Sequence, residues 1–559
     1  MTQLPPPAST LPTPLHKEDL RIPVHHQRLP STSRTSLGGI AASGPLYCPP
    51  EHDVSNHPKR ETPMPQTHRY VPAESHYNMG YVWTISVTAA LGGLLFGYDW
   101  VVIGGAKPFF ERYFGLTGNA SASGFANSCA LIGCLVGAIM SGALSDKFGR
   151  KRPLIFAAML FAVTSVGNGL AGSFTAFVTW RILGGVAIGL ASNLSPMYIA
   201  EVAPAQVRGR LVAINQLTIV IGILLAQFIN WFLVRQLPSN ATDEFIIGSW
   251  YGQQGWRWMF ALTAVPALLF FVGMFLVPES PRWLAKNGKP DRSRTILERI
   301  GGPAYAGTAM ADIEATLVNE TEKVDFRALL DPRMTGVLVL GVVLAVFQQW
   351  CGINVIFNYA ENIFRAAGYD ISSVLMNIAW TGSVNLVFTF VALGVVDRLG
   401  RRPLMLIGAI SLAFIYLAMG YCYYSGVQGL PTLLLVLAAI ACYACSLAPM
   451  TWVILSEIYP NRIRGAAMSV SVFALWAACF VLTYTFPILH QWLGMAGTFW
   501  LYAAICTAGF LFTYLRLPET KGKTLEQIES ELVDGRGRSE FPPAAEMDPG
   551  IGQADNRNR

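Results

Sequence analysis

The sequence predicts an all-α membrane protein with twelve transmembrane helices arranged as two parallel six-helix repeats. Of its 559 residues, 52% are hydrophobic and 13% are charged, whereas soluble domains carry about 25% charged residues. The hydrophobic residues are concentrated in nearly uncharged segments of about 20 residues, long enough to cross roughly 30 Å of hydrocarbon as helix. Three motifs also recur in the same order in both halves, which indicates an internal duplication.

The chain divides into five regions. Residues 1–78 are rich in Pro, Ser, Thr and His and lack periodicity, so we expect a disordered cytoplasmic tail. The tail holds seven of the eight histidines at irregular spacings that do not predict a metal site. It has no apolar core, so we expect no signal peptide. We predict a six-helix bundle at 79–277, cytoplasmic linker helices at 278–334, a second bundle at 335–517 and a cytoplasmic tail at 518–559.

The apolar segments give the predicted spans in order. They lie at 81–104, 125–145, 153–172, 177–199, 211–234, 258–277, 335–359, 373–396, 404–424, 432–455, 466–489 and 498–517. Lys and Arg are concentrated in the loops after spans 2, 4, 6, 8 and 10. The positive-inside rule therefore places these loops, the linker and both termini in the cytoplasm.

The repeated motifs carry carboxylates and arginines at the predicted cytoplasmic ends of helices. We expect these charges to pair where the ends of the two halves meet, and to separate when the cytoplasmic side opens. The alternative is that they only set the topology. The predicted cytoplasmic gate comprises Asp146, Arg150, Glu201, Arg208, Glu279 and Arg282, with Asp397, Arg401, Glu457 and Arg464 in the second repeat.

Two charged residues fall at membrane depth, Asp99 in span 1 and Arg181 in span 4. A charge in hydrocarbon is costly, so either the two pair or water reaches them. Burial favours the neutral acid and a nearby arginine favours the carboxylate, so an aspartate whose pairing changes with conformation can take up and release a proton. We predict proton coupling at this pair, with a static structural pair or a hydrated Asp99 as the alternative.

Polar and aromatic residues inside the spans predict a site for a small neutral solute rich in hydroxyl groups. Amides both donate and accept hydrogen bonds, as hydroxyls do, and aromatic rings offer flat apolar surfaces for a sugar ring. Taken singly, each tryptophan is better explained by packing. The candidate residues are Phe96, Gln216, Gln348, Gln349, Asn354, Asn385, Trp452 and Trp476, of which the span 7 amides flank Gly352.

Other site types are not predicted. No nucleophile with a base, metal cluster or phosphate loop indicates an enzyme, a metal or a cofactor. The net charge of +6 is spread over short loops, which gives no nucleic-acid surface. The sequons at Asn119 and Asn240 fall in predicted outer loops and are candidate glycosylation sites, whereas Asn319 falls inside.

Four motifs identify a resemblance. The sequence has Asp-Lys-Phe-Gly-Arg-Lys at 146–151, Pro-Glu-Ser-Pro-Arg at 278–282, Gln-Gln-Trp-Cys-Gly-Ile-Asn at 348–354 and Pro-Glu-Thr-Lys-Gly at 518–522. On these motifs the chain resembles the sugar porters of the major facilitator superfamily over about residues 80–530. It is most similar to proton-linked members, the bacterial xylose symporters and the fungal sugar:proton symporters.

The resemblance implies the major facilitator fold, a sugar pocket formed by the polar and aromatic residues above, proton coupling at Asp99 with Arg181, and cytoplasmic gating pairs. The chain also departs from the family's pattern. Asn358 stands where a tyrosine is common, and we include it among the solute-binding candidates. Further departures are Ile223, Thr263, Ala448 and Leu475, so the identity of the sugar cannot be carried over.

We therefore predict a monosaccharide importer, for a hexose or a pentose, that works by proton symport and alternating access. It would act as a monomer in the lipid bilayer of the plasma membrane. A facilitative sugar or polyol porter is the first alternative. A sugar sensor that does not transport is the second, since the long tail would suit a signalling role.

Overall fold

Long apolar helices make up nearly all of the described chain. The structure is a computed structural model that describes residues 77–235, 237–238, 241–319, 329, 331–460, 464–523, 527–528 and 531–532, and these contain no β-strand. The helices of the first half and linker are α1 Met79–Tyr113, α2 Ala120–Phe148, α3 Lys151–Leu170, α4 Phe174–Val202, α5 Arg208–Val234, α6 Asp243–Gly248, α7 Trp256–Ala261, α8 Ala264–Leu276, α9 Pro281–Lys286 and α10 Pro290–Asn319. Those of the second half are α11 Pro332–Trp350, α12 Ile353–Asn358, α13 Ala360–Ala366, α14 Ile371–Leu399, α15 Arg401–Tyr424, α16 Leu430–Cys445, α17 Leu447–Ile458 and α18 Arg464–Arg516.

These helices provide the twelve predicted membrane crossings. Eleven segments of the described chain are long and apolar enough to cross a membrane. The last of them, α18, has 53 residues and bends at Gly494, where φ is 66°. A helix of that length measures about 80 Å, far more than one bilayer, so α18 contains two crossings. The predicted fold class is confirmed.

Three crossings are interrupted, and the break in span 7 lies between the predicted solute contacts Gln349 and Asn354. Span 7 breaks between α11 and α12 at Gly352, whose φ of 88° is left-handed and suits glycine. Span 10 breaks between α16 and α17 at Ser446, three residues before Pro449, which has no N–H for the helical hydrogen bond. Span 6 consists of a π-helical turn, Tyr251–Gly255, followed by α7 and α8. Discontinuous helices are typical of transporter binding sites.

Glycines bring the helices of the first half into backbone contact. On α2, a Cβ added at Gly133 would lie 1.9 Å from the carbonyl oxygen of Ile182 on α4. On α1, a Cβ at Gly97 would lie 1.9 Å from the carbonyl oxygen of Ile219 on α5. Only glycine allows this approach, so these two helix pairs are held close together. The pairs position Asp99 on α1 and Arg181 on α4.

The linker helices pack against the start of α1. The Asn78 amide donates to the Ile300 carbonyl at 2.8 Å, and the rings of Tyr77 and Tyr305 meet edge to face at 5.3 Å. The linker and the repeated Asp146–Arg152 and Asp397–Arg402 loops share one end of the bundle, which we call the basic side. The other end is the far side. Residues 1–76, almost the whole predicted tail, lie outside the described residues.

Candidate functional site

An ion pair lies in the middle of the first half. The Arg181 Nη1 atom of α4 lies 2.8 Å from the Asp99 Oδ2 atom of α1, with the two residues 2% and 5% exposed. The guanidinium also lies over the Phe260 ring, 5.4 Å from its centroid. A pair this deep is costly unless both charges are matched. The two predicted membrane charges thus contact each other.

The span 7 amides of the second half form a chain of hydrogen bonds. Asn354 Nδ2 donates to Gln349 Oε1, Gln349 Nε2 donates to Gln348 Oε1 at 2.5 Å, and Gln348 Nε2 lies 2.5 Å from the Tyr443 hydroxyl. All three amides are buried. A group of this kind can exchange its internal hydrogen bonds for those of a solute hydroxyl. Sequence reasoning missed Tyr443, because a single tyrosine in an apolar span has no distinguishing pattern.

Aromatic rings from both halves meet beside these groups. The Trp476 ring lies 5.9 Å from Phe96 and 5.9 Å from Trp100, centroid to centroid. Phe96 and Trp476 were predicted, and Trp100 was not. Its spacing of four residues from Phe96 would place it on the same face of α1, a signal that the sequence did contain.

The structure does not gather all predicted solute contacts into this cluster. Gln216 and Trp452 are exposed, the latter by 40%. Asn385 is buried. Neither Gln216 nor Asn385 makes a side-chain hydrogen bond with a described residue. Gln216 and Trp452 lie on α5 and α17 toward the basic side.

A charged cluster closes the basic end of the first half. Arg150 Nη2 lies 2.8 Å from Glu201 Oε1, and Ser280 Oγ donates to the other oxygen of Glu201 at 2.5 Å. Glu279 accepts from the Arg150 backbone N–H at 2.8 Å and so caps α3, because a helix N-terminus favours a carboxylate. Asp146 is mostly exposed and lies 3.8 Å from Arg150.

The second half repeats the cluster. Arg401 Nη2 lies 3.2 Å from Glu457 Oε1, and Thr520 Oγ1 donates to Glu457 Oε2 at 2.6 Å. Glu519 accepts from the Arg401 backbone N–H at 3.1 Å, as Glu279 does in the first half. The side chain of Asp397 lies outside the described residues.

These pairs differ from the predicted gate in one respect: each joins groups of the same half. Arg464 donates to the Tyr459 carbonyl at 3.0 Å, and Arg208 is exposed and makes no ion pair with a described residue. Arg282 is half-buried on α9. The ion pairs Arg150–Glu201, Arg150–Asp146 and Arg401–Glu457 thus each lie within one half.

A buried ion cluster joins the halves at the far side. Lys107 Nζ of α1 lies 3.2 Å from Glu361 Oε2 of α13 and 2.7 Å from Asn362 Oδ1. It also contacts Glu111 on its own helix at 3.1 Å. Lys107 and Glu361 are both buried. Sequence reasoning missed this cluster, because its members stand near predicted span ends, where charges are ordinary.

The remaining side-chain hydrogen bonds between the described spans of the two halves also lie toward the far side. Ser121 Oγ of α2 lies 2.9 Å from the Tyr484 hydroxyl of α18, and Gln227 Nε2 of α5 donates to Thr381 Oγ1 of α14 at 3.3 Å. The halves are thus closed against each other at the far side.

Two predicted glycosylation sites have different outcomes. Asn119 is exposed, and its side chain caps α2 by accepting from the Ala122 N–H at 3.0 Å. Asn240 lies outside the described residues. Modification of either residue stays a prediction.

Comparison with known proteins identifies the family. The family described as "Sugar (and other) transporter" matches residues 85–532. The D-xylose-proton symporter of Escherichia coli (strain K12) is 39% identical over 486 residues, which cover 82% of this chain and 96% of that protein. The arabinose-proton symporter of Bacillus subtilis (strain 168) is 37% identical over 460 residues, covering 82% and 97%. The inward-open structure of the E. coli xylose transporter, 38% identical, superposes with a TM-score of 0.71 over 81% of this chain and 100% of that one. The chain belongs to the sugar porter family of the major facilitator superfamily, a family of transporters and not of enzymes.

Proposed function

We propose that the protein imports a monosaccharide, a hexose or a pentose, together with a proton. The observation that carries this proposal is the buried Asp99–Arg181 ion pair, 2.8 Å apart, in a membrane-spanning bundle. Its relatives support it, since two of them are named as xylose-proton and arabinose-proton symporters and a third as a glucose transport protein.

The ion pair provides the coupling chemistry. When Asp99 is ionised, it neutralises Arg181, and the two helices that carry them stay joined. When Asp99 takes up a proton, the attraction is lost and Arg181 needs other partners. Protonation therefore changes the relative free energies of conformers that differ in this contact. A proton bound on one side is carried across when the conformers exchange.

The solute site lies between the two halves. The amides Gln348, Gln349 and Asn354 supply donors and acceptors, and Trp476 with Phe96 supplies apolar surface for the sugar ring. Gln216 and Trp452 contact the solute on its way to the basic side, because a glutamine at this depth is best solvated by water rather than lipid. Asn385 and Asn358 complete the polar lining from the second half.

The basic side is the cytoplasm, and both termini lie there. The positive-inside rule supports this orientation. Because the halves are closed at the far side, the conformation described is open to the cytoplasm, and its likeness to an inward-open structure agrees with this. The duplicated charge clusters then hold the cytoplasmic helix ends of each half together, and pair across the halves in the outward-open state. The protein works as a monomer in the plasma membrane.

Uptake measurements test the proposal. Wild type and Asp99→Asn are expressed in a host without sugar porters, and labelled pentoses, hexoses and myo-inositol are supplied at acid and neutral pH. We expect wild type to accumulate one sugar above its external concentration and to lose this with a protonophore. Asp99→Asn should exchange that sugar but not accumulate it. Glu298→Gln, on the linker surface, is the matched control and should behave as wild type.

Other results would exclude parts of the proposal. Equal, non-accumulative uptake by wild type and Asp99→Asn would identify a facilitator. Transport of myo-inositol alone would favour a polyol porter, in line with a 35% identical relative named as the major myo-inositol transporter of Bacillus subtilis. If no solute is taken up, the sensor interpretation takes its place.

A further inference from the structure

A small cavity adjoins the ion pair, and Arg181 forms part of its lining. It has a volume of about 10 Å³, and its polar lining is Asn127 of α2, Arg181 of α4 and Asn358 of α12. Apolar groups, including Trp100, close the rest of it. A volume of this size holds about one water molecule and excludes a sugar.

Three polar atoms of these lining residues have no partner in the protein. They are Arg181 Nε, Asn127 Oδ1 and Asn358 Oδ1, and the two asparagines are 4% and 3% exposed. The orientation of Asn127 is fixed, because its Nδ2 donates to the Ser123 carbonyl at 2.8 Å. Each unmet group would cost about 1–3 kcal/mol, and a charged donor more.

The set of atoms matches one water molecule. Water accepts a hydrogen bond from the Arg181 N–H and donates its two hydrogens to the two amide oxygens. A metal cation would be repelled by the guanidinium, and an anion would face two carbonyl oxygens. The amides come from different halves, so this water connects the halves through Arg181.

Asn358 also connects the cavity to the solute site. It ends α12, a helix of six residues that starts after the break at Gly352. Asn354, which belongs to the amide chain, stands four residues earlier and therefore on the same face. The α12 backbone packs on α1, since a Cβ added at Gly104 would lie 2.6 Å from the Phe357 carbonyl oxygen. Movement of α12 with the solute thus changes the surroundings of Arg181.

We propose that Asn127 and Asn358 hold a water against Arg181, and so act as positioning residues that couple solute binding to protonation of Asp99. With the water bridge in place, two amide dipoles solvate the guanidinium, and Asp99 can be protonated without leaving that cation unmatched. When α12 moves away, Arg181 loses this solvation and pairs with ionised Asp99, whose proton passes to water on the open side. By linkage, the solute and the proton each strengthen the binding of the other.

Substitution of each acceptor tests the bridge, and the test rests on the proposed symport. Asn127→Leu and Asn358→Leu remove an acceptor at nearly constant volume. Asn127→Ser and Asn358→Ser keep a neutral acceptor. Asn377→Leu is the matched control, because Asn377 is a buried asparagine of α14 that does not line the cavity. Accumulation ratio, counterflow KM and the pH profile of uptake are measured for each, with the melting temperature as a check on folding.

We expect both leucine variants to require a lower pH for uptake than wild type does. Their accumulation ratio should fall about tenfold. The KM of Asn127→Leu in counterflow should stay within about twofold of wild type, because this residue does not reach the solute. The serine variants should recover part of the accumulation. Asn377→Leu should match wild type throughout.

The measurements distinguish a failure of the proposed symport from a failure of the water bridge. If wild type does not accumulate sugar, the proposed symport is wrong. If wild type accumulates and Asn127→Leu keeps its ratio and pH profile, the water bridge is wrong. Should a leucine variant fail to fold, the serine variants and an experimental structure decide. Density for a water within about 3.2 Å of all three atoms is expected, and a dry cavity at a resolution that shows other buried waters would overturn the proposal.

Discussion

On the basic side, Arg150 contacts Glu201 in the first half as Arg401 contacts Glu457 in the second, at 2.8 and 3.2 Å. In both halves a hydroxyl binds the second oxygen of the glutamate, and a further glutamate caps the next helix. At membrane depth this likeness ends. The first half carries the ion pair, whereas the second carries the chain of amides.

The difference shows how a duplicated bundle divides its work. Both halves must hold their helix ends together while they move, so both keep the same charge cluster. In the function proposed above, the proton site lies in the first half and most of the polar solute contacts lie in the second. Coupling between them would then cross from one half to the other, and α12, which packs on α1, provides a contact.

The packing of the second span against the fourth also differs between the two halves. Gly133 of α2 and Gly185 of α4 allow backbone contact in the first half. The repeat places Val384 and Ala441 at the corresponding positions of the second half. The first half is therefore built with its second and fourth spans in closest approach, which holds Arg181 firmly, and the second half has side chains in between.

The largest expected effect comes from removing one member of the Asp99–Arg181 ion pair, so that the other charge has no partner. Arg181→Met would leave Asp99 charged and unpaired at membrane depth, which costs about 3–5 kcal/mol. The double variant with Asp99→Asn should recover most of that loss. Gln349→Leu in the second half should cost less, about 1–3 kcal/mol, because the two partners that it leaves, Asn354 and Gln348, are neutral. Thermal melting of the purified proteins in one detergent measures all three, and equal losses in the single and double variants would contradict the role given to the pair.

The next effect concerns the close helix crossing. Gly133→Ala on α2 should destabilise the protein by about 1–3 kcal/mol, because the methyl group would overlap the Ile182 backbone. Gly142→Ala on the same helix is the control, since a Cβ there meets nothing within 4 Å. The control should be neutral or slightly stabilising. If both variants melt alike, the crossing tolerates more space than the structure shows.

Most of the fold and the contact between Asp99 and Arg181 follow from sequence, and the reason is physical. Spans are local in sequence, so hydropathy and length locate them, and a charge at membrane depth demands a partner, so Asp99 and Arg181 were found. The Lys107–Glu361 contact joins residues far apart in sequence that both stand near span ends, where nothing signals pairing. The relative stability of the conformers decides which side of the molecule is closed. Motif spacing carries no information about that stability. For that reason motif spacing does not report whether the gate charges pair across the halves in this conformation, and that pairing stays a prediction.

A smaller effect should separate the two charge clusters on the basic side. The Arg150 and Glu201 side chains are each 10% exposed, whereas those of Arg401 and Glu457 are 18% and 22% exposed. Solvent screens the second pair more. We expect Glu201→Gln to cost about 1.5 kcal/mol and Glu457→Gln about 0.5 kcal/mol. Melting temperatures measured at increasing salt concentration check this reason. Added salt should weaken the Arg401–Glu457 pair more than the Arg150–Glu201 pair. Equal responses to salt would show that solvent screens the two pairs to the same extent.

An effect of similar small size lies where the halves meet, and pH reveals it. Burial raises the pKa of the Glu361 carboxyl, but the Lys107 ammonium and the Arg365 guanidinium outweigh burial and hold that pKa below its ordinary value. A carboxyl with a lowered pKa stabilises the folded protein at neutral pH, and this contribution is lost as pH falls through the range in which Glu361 protonates. Glu361→Gln should cost only about 0.5–1 kcal/mol at neutral pH, because Lys107 keeps Glu111 and Asn362 as partners. The difference in melting temperature between wild type and Glu361→Gln should therefore shrink as the medium is acidified, while Glu298→Gln on the linker shows no such trend. A difference that grows on acidification would mean that Lys107 does not stabilise the ionised Glu361, and that the far side is closed by packing alone.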